Sequence, residues 1–216
     1  MKFEKQAARE DHMDQTTRRA LRFLREIKSV AFATVNHGEP AVRIADVMLV
    51  KENGLYSLTA RGKSYYRQLK ESKRLSICGM DRNYVTVRIV GDIRFCEDQK
   101  VVDEIFEQNP MMNDLYPGEK RRILEAFYMY RGKGEFFDLS IEPPKRERFA
   151  FGGEMVNPAG YRITNTCTAC GVCLDACPVD VITKGDVYKV EGGRCLECGA
   201  CEEVCPEDAV EPARGF

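Results

Sequence analysis

Hydrophobic positions along the chain change period several times, and each change predicts an element. Ala20, Leu21, Leu24 and Ile27 recur at helical spacing behind a polar start, where Asp14 or Thr16 can cap, so a first helix is expected to run to about Lys28. Short runs rich in β-branched and aromatic residues follow: Ser29 to Val35, Ala41 to Val50, Leu55 to Ala60, Leu75 to Met80, Tyr84 to Phe95 and Glu135 to Ile141. Asn53-Gly54 marks a two-residue hairpin turn and Asp81-Arg82-Asn83 a second turn. Two more helices are expected: Asp98 to Gln108, with Val101, Val102, Ile105 and Phe106 inward, and Gly118 to Tyr130, with Ile123, Leu124, Phe127 and Tyr128. Strands joined mostly by hairpins and interrupted by few helices predict an antiparallel β-barrel with flanking helices, not a doubly wound sheet.

The pattern changes character after Ile141. Pro143-Pro144, Gly152-Gly153 and Pro158-Ala159-Gly160 punctuate the next stretch as a linker. The expected divisions are therefore a barrel over 1–142, a linker over 143–160 and a second, smaller domain over 161–216. That last part is an internal duplication. Cys167, Cys170, Cys173 and Cys177 recur 28 residues later as Cys195, Cys198, Cys201 and Cys205, and Pro178 recurs as Pro206.

Composition narrows the reading. The 216 residues are 44% hydrophobic and 31% charged, which excludes disorder and coiled coil. No stretch approaches the roughly 18 to 20 consecutive apolar residues that span a bilayer, and Met1 to Met13 is polar with no apolar signal core. A cytoplasmic protein is expected, with no membrane partner. Ten Cys in such a chain argue for metal ligation over disulfides. The net charge of -1 is uneven: from residue 151 onward five basic residues face eleven acidic ones, which leaves the first 150 residues basic. That basic excess is small, so no nucleic-acid partner is expected.

Each cysteine block reads C-x2-C-x2-C-x3-C-P. Three closely spaced thiolates can wrap three corners of an iron–sulfur cube while the fourth, turned away by a short helix, reaches the neighbouring cube. The expected sets are crossed: Cys167, Cys170, Cys173 and Cys205 for one [4Fe-4S] cluster, and Cys195, Cys198, Cys201 and Cys177 for the other. The bland alternatives are structural zinc, which usually takes paired C-x2-C units across a longer loop, and a disulfide knot. From Tyr161 onward the chain resembles the two-[4Fe-4S] bacterial ferredoxin, a small α+β domain, and Gly171, Gly199 and the Val181 to Val190 hairpin fit that resemblance. Such clusters carry electrons, and the tail holds no catalytic base, so the chemistry is expected elsewhere.

The informative barrel segment is Thr59-Ala-Arg-Gly-Lys-Ser-Tyr-Tyr-Arg-Gln-Leu69, where a strand gives way to a helix. Arg61 and Lys63 stand where the helix dipole is already positive, an unfavourable placement unless an anion sits there. With free backbone N–H groups and the Ser64 hydroxyl they would form a phosphate cradle. The alternative is that Ser64 only caps the helix while the cations stay in solvent.

Together with Arg43-Ile44 before it and RLSICGM after it, this segment resembles the FMN-binding split barrel of the pyridoxamine 5′-phosphate oxidase-like superfamily, over roughly residues 15 to 142. The resemblance implies that Arg43, Lys63 and Ser64 hold the FMN phosphate with help from Arg61. It also implies that Ile44 and Thr59 line the ring through main-chain and side-chain contacts, that Gln68 supports the loop, and that Thr86 approaches from the partner subunit of a homodimer. No counterpart of the substrate-binding Arg and His of true pyridoxamine phosphate oxidases is found. The two histidines, His12 and His37, read as a terminal residue and a turn residue. Cys78 and Cys96 read as small buried hydrophobes, and Tyr65 and Tyr66 as packing residues.

The expected function is a ferredoxin-fused, FMN-dependent reductase. Electrons from a donor protein would pass through two [4Fe-4S] clusters to FMN and on to a small-molecule acceptor. A non-catalytic electron-transfer or redox-sensing flavoprotein is the rival reading. Pyridoxamine 5′-phosphate oxidase activity is disfavoured, since exposed low-potential clusters are harmed by oxygen. No Rossmann glycine motif follows a strand, so nicotinamide binding has no support.

Overall fold

The fold was analysed in a computed structural model of the chain, which describes residues 13–213; His12 lies outside them. Helix α1 (Gln15–Ile27) starts where the Asp14 carboxylate accepts the Thr17 N–H at 2.6 Å, and it buries Ala20, Leu21 and Leu24. Strands β1 (Ser29–Asn36) and β2 (Glu39–Asp46) form a hairpin whose turn residues, His37 and Gly38, both have positive φ. The expected Ala41 to Val50 strand breaks at the buried Val47-Met48 pair. It resumes as β3 (Leu49–Lys51), which pairs with β4 (Gly54–Ala60). The register sets Lys51 opposite Gly54, so Glu52-Asn53 form the turn, one residue earlier than expected. Gly54 is required in the strand itself: a Cβ there would lie 2.1 Å from the Met129 carbonyl oxygen.

Helix α2 (Ser64–Ser72), strands β5 (Arg74–Met80) and β6 (Val85–Phe95), and helix α3 (Gln99–Gln108), capped by Asp98, lie where the periodicity puts them. The short helix α4 (Met112–Leu115) follows. The expected helix over Gly118 to Tyr130 is corrected. Only Gly118–Ile123 is helical, as a 3₁₀ turn, and Leu124–Asp138 is one long strand, β7. Its apolar residues serve two cores on opposite faces, Leu124 and Ala126 on one and Phe127 and Met129 on the other, and burial on both faces imitates helical spacing.

A second correction concerns the linker. Lys145–Phe151 forms strand β8, which pairs with β7 from Asp138 to Gly132, so the barrel sheet continues to Phe151 and does not close near Ile141. The sheet order is β2-β1-β5-β6-β7-β4-β3, entirely antiparallel, with β8 joining β7 beyond the end of β4. Helices α1 and α2 cover its interior around Phe32, Ile77, Ile89, Phe127 and Phe149. Full burial of each such side chain favours folding by roughly 1.5–3 kcal/mol.

The C-terminal part is a small α+β unit built twice. Strand β9 (Tyr161–Ile163) pairs with the last strand, β12 (Val210–Pro212), and β10 (Ile182–Thr183) pairs with β11 (Lys189–Val190). Short helices α5 (Val172–Ala176) and α6 (Ala200–Glu203) each begin after a glycine of positive φ, Gly171 at 92° and Gly199 at 83°. Among the described residues no helix is long and apolar enough to cross a membrane.

Candidate functional site

The duplicated cysteines line two separate small pockets. Around the first stand Cys167, Cys170, Cys173 and Cys205, and around the second Cys177, Cys195, Cys198 and Cys201. The first three cysteines of each block face one void and the fourth faces the other, because α5 and α6 carry the chain across between them. Tyr188 lines the first void and Tyr161 the second. Four cysteines at each pocket are the donor set that a [4Fe-4S] cluster takes, and among the described residues no three His, Cys, Asp or Glu side chains form a site for a single metal ion.

Backbone amides already point at the sulfurs. Ala169 N–H lies 3.4 Å from Cys167 Sγ, Glu197 N–H 3.3 Å from Cys195 Sγ and Ala209 N–H 3.3 Å from Cys205 Sγ. Such donors stabilise sulfur that carries negative charge. In the bare chain, burial pushes the Cys173 and Cys195 thiols up and raises Cys201 to about 11, helped by neighbouring cysteines. Ligation therefore has to displace protons.

In the barrel, Arg43 is held on the first turns of α2. Its guanidinium donates to Thr34 Oγ1 at 2.7 Å and Gln68 Oε1 at 2.7 Å, and it lies 4.4 Å over the Tyr65 ring. Thr34 also donates to Gln68 Oε1 at 2.6 Å. Partial burial lowers the pKa of Arg43 and the Tyr65 phenol opposes that, so the group stays a cation able to donate. The first turn of α2 has no side-chain cap and no acidic residue, and Ser64 is its first residue. Lys63 has no ion-pair partner among the described residues. Arg61 turns the other way, with Nη2 donating to the Arg122 carbonyl at 2.6 Å and Nη1 3.5 Å from Glu125 Oε1. Thr59 is buried and its hydroxyl has no hydrogen-bond partner among the described residues.

Strand alternation divides the residues expected around a flavin. Arg43, Thr59 and Gln68 belong to the interior side, with Lys63 and Ser64 at the start of α2. Ile44 and Thr86 belong to the outer face of the sheet. There the cross-strand row Ile44, Ala31, Cys78, Arg88, Glu135, Arg148 runs beside the row Met80, Thr86, Phe137, Arg146. The Ile44 side chain is 69% exposed, so towards the interior only its main chain is available. Cys78 is exposed on this face, which corrects the expectation of a buried residue; β5 turns it opposite to the buried Ile77. Cys96 is half-buried, and burial raises its thiol to about 11.

On the same outer face the C-terminal unit is seated by charges that the sequence reading missed. Glu135 is 1% exposed and pairs with Arg146, while Arg88 Nη2 lies 3.1 Å from its Oε1 and Arg148 Nε 3.6 Å from its Oε2. Glu197 binds Arg148 Nη2 at 2.5 Å, approaches Arg146 at 3.4 Å and accepts the Gly160 N–H at 2.9 Å. Arg146 Nε also donates to the Cys195 carbonyl at 3.4 Å. The available signal was the Arg146-x-Arg148 alternation, a strand pattern in a stretch otherwise punctuated like a linker. Between the sheet and Glu197 lies an open pocket of ≈ 400 Å³, floored by Ala31, Ala33, Ser76 and Cys78.

Comparison with known proteins agrees with both halves. Residues 16–126 match the pyridoxamine 5′-phosphate oxidase family and residues 165–209 match the 4Fe-4S dicluster domain. A ferredoxin from Butyribacterium methylotrophicum is 48% identical over 31 residues, which are 14% of this chain and 56% of that ferredoxin, so the chain spans just over half of it. A NimC/NimA family protein from Clostridium acetobutylicum superposes with a TM-score of 0.59 at 23% identity, covering 68% of this chain and 99% of that one. A pyridoxamine 5′-phosphate oxidase-related, FMN-binding protein from Nostoc punctiforme has a TM-score of 0.46 at 17% identity, covering 62% of this chain and 88% of that one. The split-barrel sheet and the paired cysteine cages thus meet in a chain that belongs to the pyridoxamine 5′-phosphate oxidase family and continues into a 4Fe-4S dicluster ferredoxin domain.

Proposed function

We propose that this protein is a reductase in which two [4Fe-4S] clusters and FMN work in series to reduce a small molecule. The observation that carries the reading is the seating of a twin-cage cysteine domain, by buried charges, on the barrel that holds an uncapped, cationic helix start. FMN, when bound, supplies the conversion between single electrons and a two-electron transfer.

The residues of the barrel fit that cofactor. Arg43, fixed by Thr34 and Gln68, keeps donors free for a phosphate, and Lys63, Ser64 and the first N–H groups of α2 add to them. A phosphate there would give the Arg43 cation a counter-charge. Thr59, with its unpartnered hydroxyl, offers one hydrogen bond to the polar edge of a ring. Arg61 serves by tying the loop to Glu125 and Arg122, not by facing the phosphate. The cysteine cages hold the clusters and the nearby amides tune them. The electron source is a one-electron donor protein, and the acidic C-terminal domain suits a basic one. A homodimer is part of the reading: Val42, Ile44 and Met80 are 71%, 69% and 55% exposed on the outer face, where a second copy would cover them.

The test is cofactor content after anaerobic purification. About eight irons per chain and one FMN released on heating are expected. Arg43→Ala with Lys63→Ala should strip the FMN and leave the iron. Two zinc ions per chain, or FMN content unchanged in the double variant, would contradict the reading.

A further inference from the structure

The two cysteine loops are related by the repeat, yet they differ in one charge. Glu197 occupies the position that Ala169 occupies in the first block; both have positive φ, 58° and 56°, and both direct an N–H at the preceding cysteine sulfur. The first loop is open to solvent, with Thr168, Ala169 and Cys170 all exposed. The second loop lies against β8, where Glu197 meets Arg146 and Arg148 and the Cys195 carbonyl accepts from Arg146. Gly160 N–H, at the end of the connecting segment, closes on the same carboxylate. The side chain of Arg148 is only 4% exposed, so this carboxylate compensates a desolvated cation.

We propose that Glu197 is a positioning residue that clamps the second cysteine loop to the barrel and gives the relay a direction. The centre held by Cys177, Cys195, Cys198 and Cys201 exchanges electrons with the barrel. The centre held by Cys167, Cys170, Cys173 and Cys205 meets the external donor. This rests on the functional reading above and deepens it. In each passage one electron leaves a reduced one-electron carrier protein, which is oxidised, and moves through the outer centre to the inner one and then to the barrel cofactor. Two such passages and protons from water complete the reduction there, and no bond to the clusters forms or breaks.

The test compares the intact protein with Glu197→Ala and Glu197→Gln, using hydrogen exchange and anaerobic stopped-flow reduction by a reduced ferredoxin. Iron content is expected to stay at the wild-type level. Exchange at Gly160 should rise about tenfold or more in Glu197→Ala. The first phase, bleaching of the iron–sulfur band, should keep its rate, while the following loss of the flavin band slows by about tenfold or more. Glu197→Gln, which keeps length and hydrogen bonding but not charge, should fall between. Unchanged Gly160 exchange would overturn the clamp. A slowed first phase, or an unchanged second one, would overturn the direction. A wild-type chain purified without flavin would instead contradict the functional reading, and Gly160 exchange would then decide the clamp by itself.

Discussion

Glu135 shows how much a single residue can bind together. Its carboxylate is almost fully buried and faces Arg146, Arg148 and the more exposed Arg88, so removing it leaves the buried Arg146 and Arg148 with Glu197 alone to compensate them. Glu135→Ala is expected to lower stability by about 3–5 kcal/mol, read as a fall in the urea midpoint of the barrel; a loss below 1 kcal/mol would mean that the arginines find water. Cys96 gives a prediction in pH. Burial raises its thiol from 9.0 to about 11, so the folded state holds that proton more tightly than the unfolded chain. Its contribution is complete below pH 9 and is lost as pH rises towards 11, which a urea-midpoint series over that range should show. Of these residues the sequence showed type and spacing but not surroundings. The division of the eight cysteines into two crossed sets of four was legible because spacing alone carries it. Glu135 and Glu197 were not, because their partners lie eleven and forty-nine residues away along the chain.

At the scale of elements, the chain was readable wherever one period served one face. Helices α1 and α3 each bury a single stripe and begin at Asp14 and Asp98, so pattern and cap agree. Asp14→Ala should cost about 1 kcal/mol, measurable as a shift in thermal midpoint. Strand β7 was misread for the opposite reason, since its two faces are buried against two cores at once and it also changes partner from β4 to β8. Strand β8 was missed because flanking Pro and Gly pairs outweighed seven residues of strand pattern. In the cysteine domain the glycines before α5 and α6 are required by positive φ. Gly199→Ala would also place a Cβ 3.3 Å from the Tyr161 hydroxyl. That variant should lose iron from the second cage first, detected as a drop towards half the wild-type iron content.

At the scale of the whole molecule, charge asymmetry and linker had suggested two bodies of opposite sign on a tether. The structure replaces the tether with a seat: β8 extends the barrel and carries the arginines that receive the acidic loop. The sequence could indicate that the halves attract but not which loop lies inward, because that depends on how β7 and β8 align. The seat has a salt prediction. Its innermost pairs are buried and screened little, so docking should persist at high ionic strength, while binding of an external donor to the exposed acidic side should weaken. The most direct test of the account is anaerobic stopped-flow reduction of the purified protein by a reduced ferredoxin, with iron–sulfur and flavin bands followed together. The clusters are expected to bleach first, with the flavin following at a rate independent of donor concentration. Flavin reduction that precedes the clusters, or that proceeds unchanged in protein stripped of iron, would contradict it.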